Sequence, residues 1–198
     1  FANFYGPHQQ LYRVIPKTLY CVLSKKKFLL QGGGKSIRSF IFIDDVCEGI
    51  YRSMVKGRLG EIYNFTNRKY ISINWLVKKI CSLSSINFQK LVKITKDRPT
   101  KDYAYKMNPN KAEKELNWKS KFSIEDIIIS AWNWQKKISS TKILVVGIGG
   151  LGCPLILYLS NLGIKNIGIV DHDKVDFSNL NRQILFNTKD VGKFKVTQ

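Results

Sequence analysis

Lys142-Ile143-Leu144-Val145-Val146-Gly147-Ile148-Gly149-Gly150-Leu151-Gly152 is an apolar run that breaks into a glycine cluster. The run reads as a buried strand and the cluster as a tight turn. Cys153–Leu162 then has helical character, and Ile167-Gly168-Ile169-Val170 supplies a second strand. Strand, turn, helix, strand is the opening of a parallel, doubly wound α/β sheet. In that context Gly147, Gly149, Gly150 and Gly152 have the spacing of a phosphate-binding turn. The first glycine permits the tight turn, the next two let the backbone approach a phosphate, and the helix N-terminus favours negative charge. Asp171 ends the next strand nineteen positions after Gly152 (171 − 152 = 19). A carboxylate there can accept hydrogen bonds from ribose hydroxyls. The bland alternative is a tight turn that holds no ligand.

Upstream of this stretch the pattern is different. Leu11–Leu23 reads as a helix and Phe28-Leu29-Leu30 as a short strand, with Gly32-Gly33-Gly34 breaking the chain. Phe40–Ile43 is a buried-strand candidate, and Asp44-Asp45 suit the positive end of the helix that follows. Gly60–Phe65 and Leu91–Thr95 read as strands. Leu76, Val77, Ile80 and Leu83 share one helical face. Asn110–Leu116 opens after Pro109, as helix starts favour, and Ser123–Lys136 is a further helix. Ile138-Ser139-Ser140-Thr141 reads as a small polar linker, which divides the chain into residues 1–137 and 140–198.

The chain has 198 residues, and 44% of them are hydrophobic. That is enough for a packed core and argues against disorder. No apolar run approaches the ~20 residues a membrane span needs. Phe1 is preceded by no charged-then-apolar leader, so no signal peptide is expected. Cys21, Cys47, Cys81 and Cys153 are scattered with only His8 and His172 to help them, so neither a zinc site nor a disulfide framework is expected. Reduced thiols suggest a cytoplasmic setting. The net charge of +19 invites a nucleic-acid reading. The lysines are spread along the whole chain, however, and do not interleave with aromatics. Anionic small molecules such as nucleotide diphosphates fit a diffuse positive charge equally well.

Two resemblances sharpen this division. Asp171-His172-Asp173 with Ser178-Asn179-Leu180-Asn181-Arg182-Gln183, followed by Asp190-Val191-Gly192 and Lys195, resembles the ThiF/MoeB/ubiquitin-activating family over residues 140–198. The resemblance implies a Rossmann-like domain that binds ATP with magnesium and adenylates a carboxylate, on a ubiquitin-like or sulfur-carrier protein. It implies that Gly147, Gly149, Gly150 and Gly152 form the phosphate turn and that Asp171 holds the ribose. Asn179, Arg182 and Lys195 would contact phosphates; fixed cations offset the charge that builds as a carboxylate attacks phosphorus. As isolated residues, Arg182 and Lys195 could equally be ordinary solvated charges. The resemblance places the family's magnesium ligand and transfer cysteine beyond Gln198, and Cys153 reads as a packing residue.

Asn3-Phe4-Tyr5-Gly6-Pro7, Gly32-Gly33-Gly34 with Arg38, Asp44-Asp45, Gly60-Glu61 with Asn64, Asp97-Arg98-Pro99 and Trp118 follow in order. The series resembles the C-terminal substrate lobe of extended short-chain dehydrogenase/reductases acting on nucleotide sugars, dTDP-glucose 4,6-dehydratase-like enzymes above all. The resemblance implies Asn3, Arg38, Asn64 and Arg98 as contacts to a nucleotide-diphosphate sugar, with a weaker case for Tyr5 and Tyr105 against aromatic packing. The family's loop usually reads Arg-Pro-Gly-His-Asp; here it is Arg98-Pro99-Thr100-Lys101-Asp102. The family's NAD fingerprint and Tyr-x-x-x-Lys pair have no counterpart, since the nearest match, Tyr70 to Asn74, ends in asparagine. The sequence therefore reads as a join of two incomplete enzymes, each keeping ligand contacts without identified catalytic residues or metal ligands. A complete bifunctional enzyme and a non-catalytic nucleotide-binding module are the alternatives. Both families are commonly dimeric, so a homodimer is an expectation.

Overall fold

A computed structural model describes residues 1–100 and 102–197 and divides the chain into two compact units, Phe1–Trp134 and Gln135–Gln198. The first unit opens with β1 (Asn3–Tyr5), α1 (Val14–Leu23), β2 (Phe28–Gln31), β3 (Ile37–Phe42) and α2 (Ile43–Lys56). It continues with β4 (Tyr70–Ser72), α3 (Ile73–Leu83), α4 (Phe88–Leu91), β5 (Val92–Thr95), α5 (Asn110–Leu116) and the start of α6 (Ile124–Ser140). β3 is the central strand of a three-stranded sheet, parallel to β1 and antiparallel to β4. β2 and β5 form a separate parallel pair.

The elements follow from side-chain spacing. In α1, Ile15, Leu19 and Val22 recur at helical intervals and all are buried. They meet Leu76, Val77 and Ile80 of α3 and Ile127, Ile128 and Ala131 of α6 in one core. Each large apolar side chain so buried stabilises the unit by roughly 1.5–3 kcal/mol. A second cluster gathers Ile41, Val46, Phe65, Leu116 and Trp118. Asp45 is more than a dipole partner for α2. It is buried, and its carboxylate accepts hydrogen bonds from Ser120 Oγ (3.1 Å) and from the N–H groups of Lys121 (3.1 Å) and Phe122 (3.3 Å). Its backbone carbonyl takes the Trp118 indole N–H at 2.8 Å.

One expected strand is absent. Gly60 lies in a turn with φ +79°, and residues 61–65 join no ladder; only the Phe65 carbonyl takes a backbone N–H, from Ala2 at 2.9 Å. Side chains hold the segment to α5 instead. Glu61 pairs with Lys111, Arg58 with Glu115 (2.8 Å), and the Tyr63 hydroxyl donates to Glu115 at 2.9 Å.

The second unit contains β6 (Lys142–Val146), α7 (Gly152–Asn161) and β7 (Asn166–Val170), with β6 and β7 parallel and in register from Lys142/Asn166 to Val146/Val170. Val145, Ile148, Cys153, Ile156, Val175 and Phe186 form its core. The expected linker at 138–141 is helical as far as Ser140. The hydroxyls of Ser139, Ser140 and Thr141 donate back to the carbonyls of Lys136 and Lys137, so the small polar residues finish the helix rather than break it. Among the described residues no helix is long and apolar enough to cross a membrane.

Candidate functional site

In the second unit the glycine turn is built by close approach. Gly147 has φ +89°, and a side chain at Gly152 would meet the Gly147 carbonyl oxygen at 2.0 Å. Only glycine lets the start of α7 lie this close to the end of β6. Around Gly149 nothing lies within 4 Å of where a side chain would project, so its backbone faces open space. A side chain at Gly150 would touch the aliphatic stem of Arg182 at 3.6 Å. Arg182 therefore lies over the turn. Its guanidinium donates to the Ser178 carbonyl (2.9 Å), Asn181 Oδ1 (3.0 Å) and Asn179 Oδ1 (3.2 Å).

Asp171 sits at the end of β7 beside the turn. Its Oδ2 accepts the Ile148 N–H at 2.6 Å and its Oδ1 the Asp173 N–H at 2.8 Å. Burial works against the charged carboxylate. The two N–H groups and the Lys195 ammonium nevertheless hold its pKa below the ordinary value. Lys195 is only 5% exposed, although lysines are rarely buried unless paired. Its ammonium lies 2.9 Å from Asp173 and 3.8 Å from Asp171. Asp171, His172 and Asp173 bring possible ligand atoms within 4.8 Å of one another, and the two aspartates face that ammonium.

The structure thus brings Gly147, Gly149, Gly150, Gly152, Asp171, Asn179, Arg182 and Lys195 to one end of the two-stranded sheet. Gln183, which carries no role in the sequence reading, is also part of the cluster. It is buried, and its Nε2 donates to Asn179 Oδ1 at 2.7 Å. Spacing alone could have found it, since residues four apart in a helical turn face one another.

In the first unit the four expected sugar-nucleotide contacts are not gathered in one place. A cleft of about 170 Å³ is lined by residues that include Asn3, Gln9, Arg13, Phe40 and Tyr105. Asn3 belongs to it and donates to the Ser39 carbonyl at 3.3 Å. Arg38 instead donates to the carbonyls of Ile37 (2.7 Å), Asp102 (2.8 Å) and Tyr103 (3.4 Å). With Ile37 N–H donating to the Tyr103 carbonyl at 2.8 Å, this staples the 102–105 segment along β3 and delivers Tyr105 to the cleft. Asn64 and Arg98 are exposed and do not line it. Tyr5 is a core side chain, whose burial pushes its hydroxyl pKa up. Trp118 is likewise buried. Lys101 lies outside the described residues. Arg13, at the N-cap of α1, is a cleft residue the sequence reading passed over.

Comparison with known proteins finds two families along the chain. The GDP-mannose 4,6 dehydratase family model matches residues 1–130, and the ThiF family model matches residues 120–198. The C-terminal segment is 56% identical over 62 residues to a probable molybdopterin-synthase adenylyltransferase of Gracilaria tenuistipitata var. liui, covering 31% of this chain and 18% of that protein. It is 59% identical over 61 residues to the adenylyltransferase and sulfurtransferase UBA4 of Candida albicans, covering 31% of this chain and 14% of that protein. Among solved structures, the dTDP-glucose 4,6-dehydratase of Bacillus anthracis, in complex with NAD, superposes with a TM-score of 0.65 at 28% identity. That match covers 69% of this chain and 43% of the other. DesIV, a dTDP-glucose 4,6-dehydratase from Streptomyces venezuelae with NAD and TYD bound, gives 0.66 at 26% identity, covering 69% and 42%. The chain therefore spans less than half of those structures and under a fifth of those curated relatives. It carries a nucleotide-sugar dehydratase-like region followed by a ThiF-type adenylyltransferase-like region. Because the first match takes in 130 of its 198 residues, the chain belongs to the GDP-mannose 4,6 dehydratase family.

Proposed function

We propose that the chain joins part of a nucleotide-sugar dehydratase or epimerase, residues 1–137, to part of an ATP-dependent adenylyltransferase, residues 140–198. The observation that carries this reading is the glycine turn with its open face at Gly149 and Arg182 lying over Gly150. Backbone N–H groups, a guanidinium and a neighbouring carboxylate suit a nucleotide's phosphates and ribose. Asp171 is the ribose residue in this reading, and Asn179, Arg182 and Lys195 are the phosphate residues. The donor set fits ATP in kind. Bound there, ATP would supply the phosphorus that a carboxylate attacks, while this chain's residues bind and orient the nucleotide. Magnesium is assigned no ligand.

The first region would bind a nucleotide-diphosphate sugar through Asn3 at the cleft, with Arg38, Asn64 and Arg98 as further contacts. Arg13 and Tyr105 strengthen that cleft. NAD belongs to this reading only through the family, because residues 1–137 carry no G-x-x-G-x-x-G fingerprint and no Tyr-x-x-x-Lys pair. No redox step is therefore routed through these residues. A sulfur-carrier or ubiquitin-like protein is the partner implied for the second region; a homodimer and a cytoplasmic setting complete the proposal. A non-catalytic nucleotide-binding module is the second reading, favoured by the commitment of Lys195 to two carboxylates.

Calorimetric titration of the purified chain with ATP tests the second region. Weak binding is expected, abolished by Gly149→Trp, which would fill the open face. No heat with ATP at millimolar concentration would sink the nucleotide reading.

A further inference from the structure

Gln183 is 3% exposed, and its Oε1 is the one buried side-chain oxygen without a hydrogen-bond partner among the described residues. An unpaired buried carbonyl opposes folding. Leucine would fill a similar volume without that cost, so packing does not explain an amide here. The other end of the amide does have a partner: Nε2 donates to Asn179 Oδ1 at 2.7 Å. Asn179 Oδ1 also takes the exposed Arg182 guanidinium at 3.2 Å, and Arg182 lies over Gly150. An asparagine amide presents an acceptor on one side and two donors on the other. With two donors already on Oδ1, the amide's opposite side, Nδ2, is the end left for a ligand. We infer that Gln183 is a positioning residue that fixes the Asn179 amide so that it offers N–H donors to an anionic phosphate, and that holds Arg182 through Asn179. This rests on the phosphate-site reading of the turn. Gln183 touches no ligand itself. Removing its donor lets the Asn179 amide turn over and present an oxygen to phosphate, which repels it.

The test uses the full chain, with ATP, tripolyphosphate and adenosine as probes, and variants Gln183→Leu and Gln183→Glu. Gln183→Leu should lower ATP and tripolyphosphate affinity roughly three- to tenfold, the size of one lost hydrogen bond. Adenosine affinity and the unfolding midpoint should be unchanged, because the unpaired oxygen goes with the amide. Gln183→Glu should lose more, since it sets a carboxylate against Asn179 Oδ1. In an Asn179→Ala background, Gln183→Leu should have no further effect. The Asn179 side-chain amide resonance, read by NMR without ligand, should move in Gln183→Leu. Unchanged tripolyphosphate affinity in Gln183→Leu, or the same loss in the Asn179→Ala background, overturns the positioning role while leaving the nucleotide reading intact. If the unmodified chain binds neither ATP nor tripolyphosphate, the phosphate-site reading fails and takes the ligand half of the inference with it. An unmoved Asn179 resonance would then reject the remaining half.

Discussion

At the residue scale, Asp171 ties the stability of the adenylyltransferase-like end to pH. Its side chain is only 6% exposed, and the Ile148 and Asp173 N–H groups together with the Lys195 ammonium compensate its charge. Asp171 is held below its ordinary pKa, so the stability it contributes is complete above the unfolded carboxylate value, about 3.9. It is lost as pH falls below that value through the lower folded one. Replacing Lys195 with Met removes one of the influences that depress it, so acid unfolding of this unit should begin at higher pH; far-UV circular dichroism against pH reads the shift. Gly152 is as restrictive in a different way. Gly152→Ala drives a methyl to 2.0 Å from the Gly147 carbonyl, and overpacking of this kind typically costs ~1–3 kcal/mol. Chemical denaturation should show the loss, and a variant as stable as the parent would mean the turn can relax.

At the scale of elements, two connections are held by side chains rather than ladders. Arg38 binds three carbonyls and fastens the 102–105 segment to β3. Arg38→Ala should therefore speed hydrogen exchange at the Ile37 and Tyr105 amides, which hydrogen-bond across that junction. Unchanged protection would show that the backbone bonds suffice. In a longer form that binds nucleotide sugar, the same variant should also weaken that binding, through Tyr105 as much as through lost charge. Asp45 clamps the chain between Trp118 and Phe122 in a comparable way. Asp45→Ala leaves its partner N–H groups without their acceptor, at ~1–3 kcal/mol for each one that stays buried and unpaired. The midpoint of urea unfolding for the first unit should fall accordingly, while Asp45→Asn should retain part of the effect.

For the whole molecule, the relevant quantity is how much apolar surface stays in water. In the second unit Leu144 and Val146 are 64% and 76% exposed on the same side of β6, and Val170 of β7 is 51% exposed. A parallel sheet is normally covered on both faces. This unit should unfold at lower temperature than the first, giving two calorimetric transitions, and it should bind a hydrophobic dye while folded. Leu144→Lys with Val146→Lys should cut dye binding without altering the β6–β7 ladder. A single cooperative transition would contradict the expectation. The charge of +19 remains diffuse across the chain.

Local order was legible in the sequence where a short-range rule suffices. The apolar β6 run, the glycine spacing and the i, i+4, i+7 pattern of α1 are each set by neighbours within a few residues, and their helix and strand assignments follow directly. Asp171 at a strand end and Arg182 in a family signature were identifiable for the same reason. Gly60–Phe65 was misread because its alternation mimics a strand, while its partners on α5 lie about fifty residues away in sequence. Ser139 and Ser140 were misread as a linker because their composition fits both a loop and a helix end, and the hydroxyl-to-carbonyl bonds decide between them. By itself the sequence determined the two family regions and the glycine turn, since covalent spacing and backbone sterics act locally. Only the tertiary structure decided that Arg38 serves the 102–105 segment, that Lys195 is paired in a buried site, and that Gln183 stands behind Asn179. Those depend on which charges and amides burial brings together, and on which of their atoms find partners there.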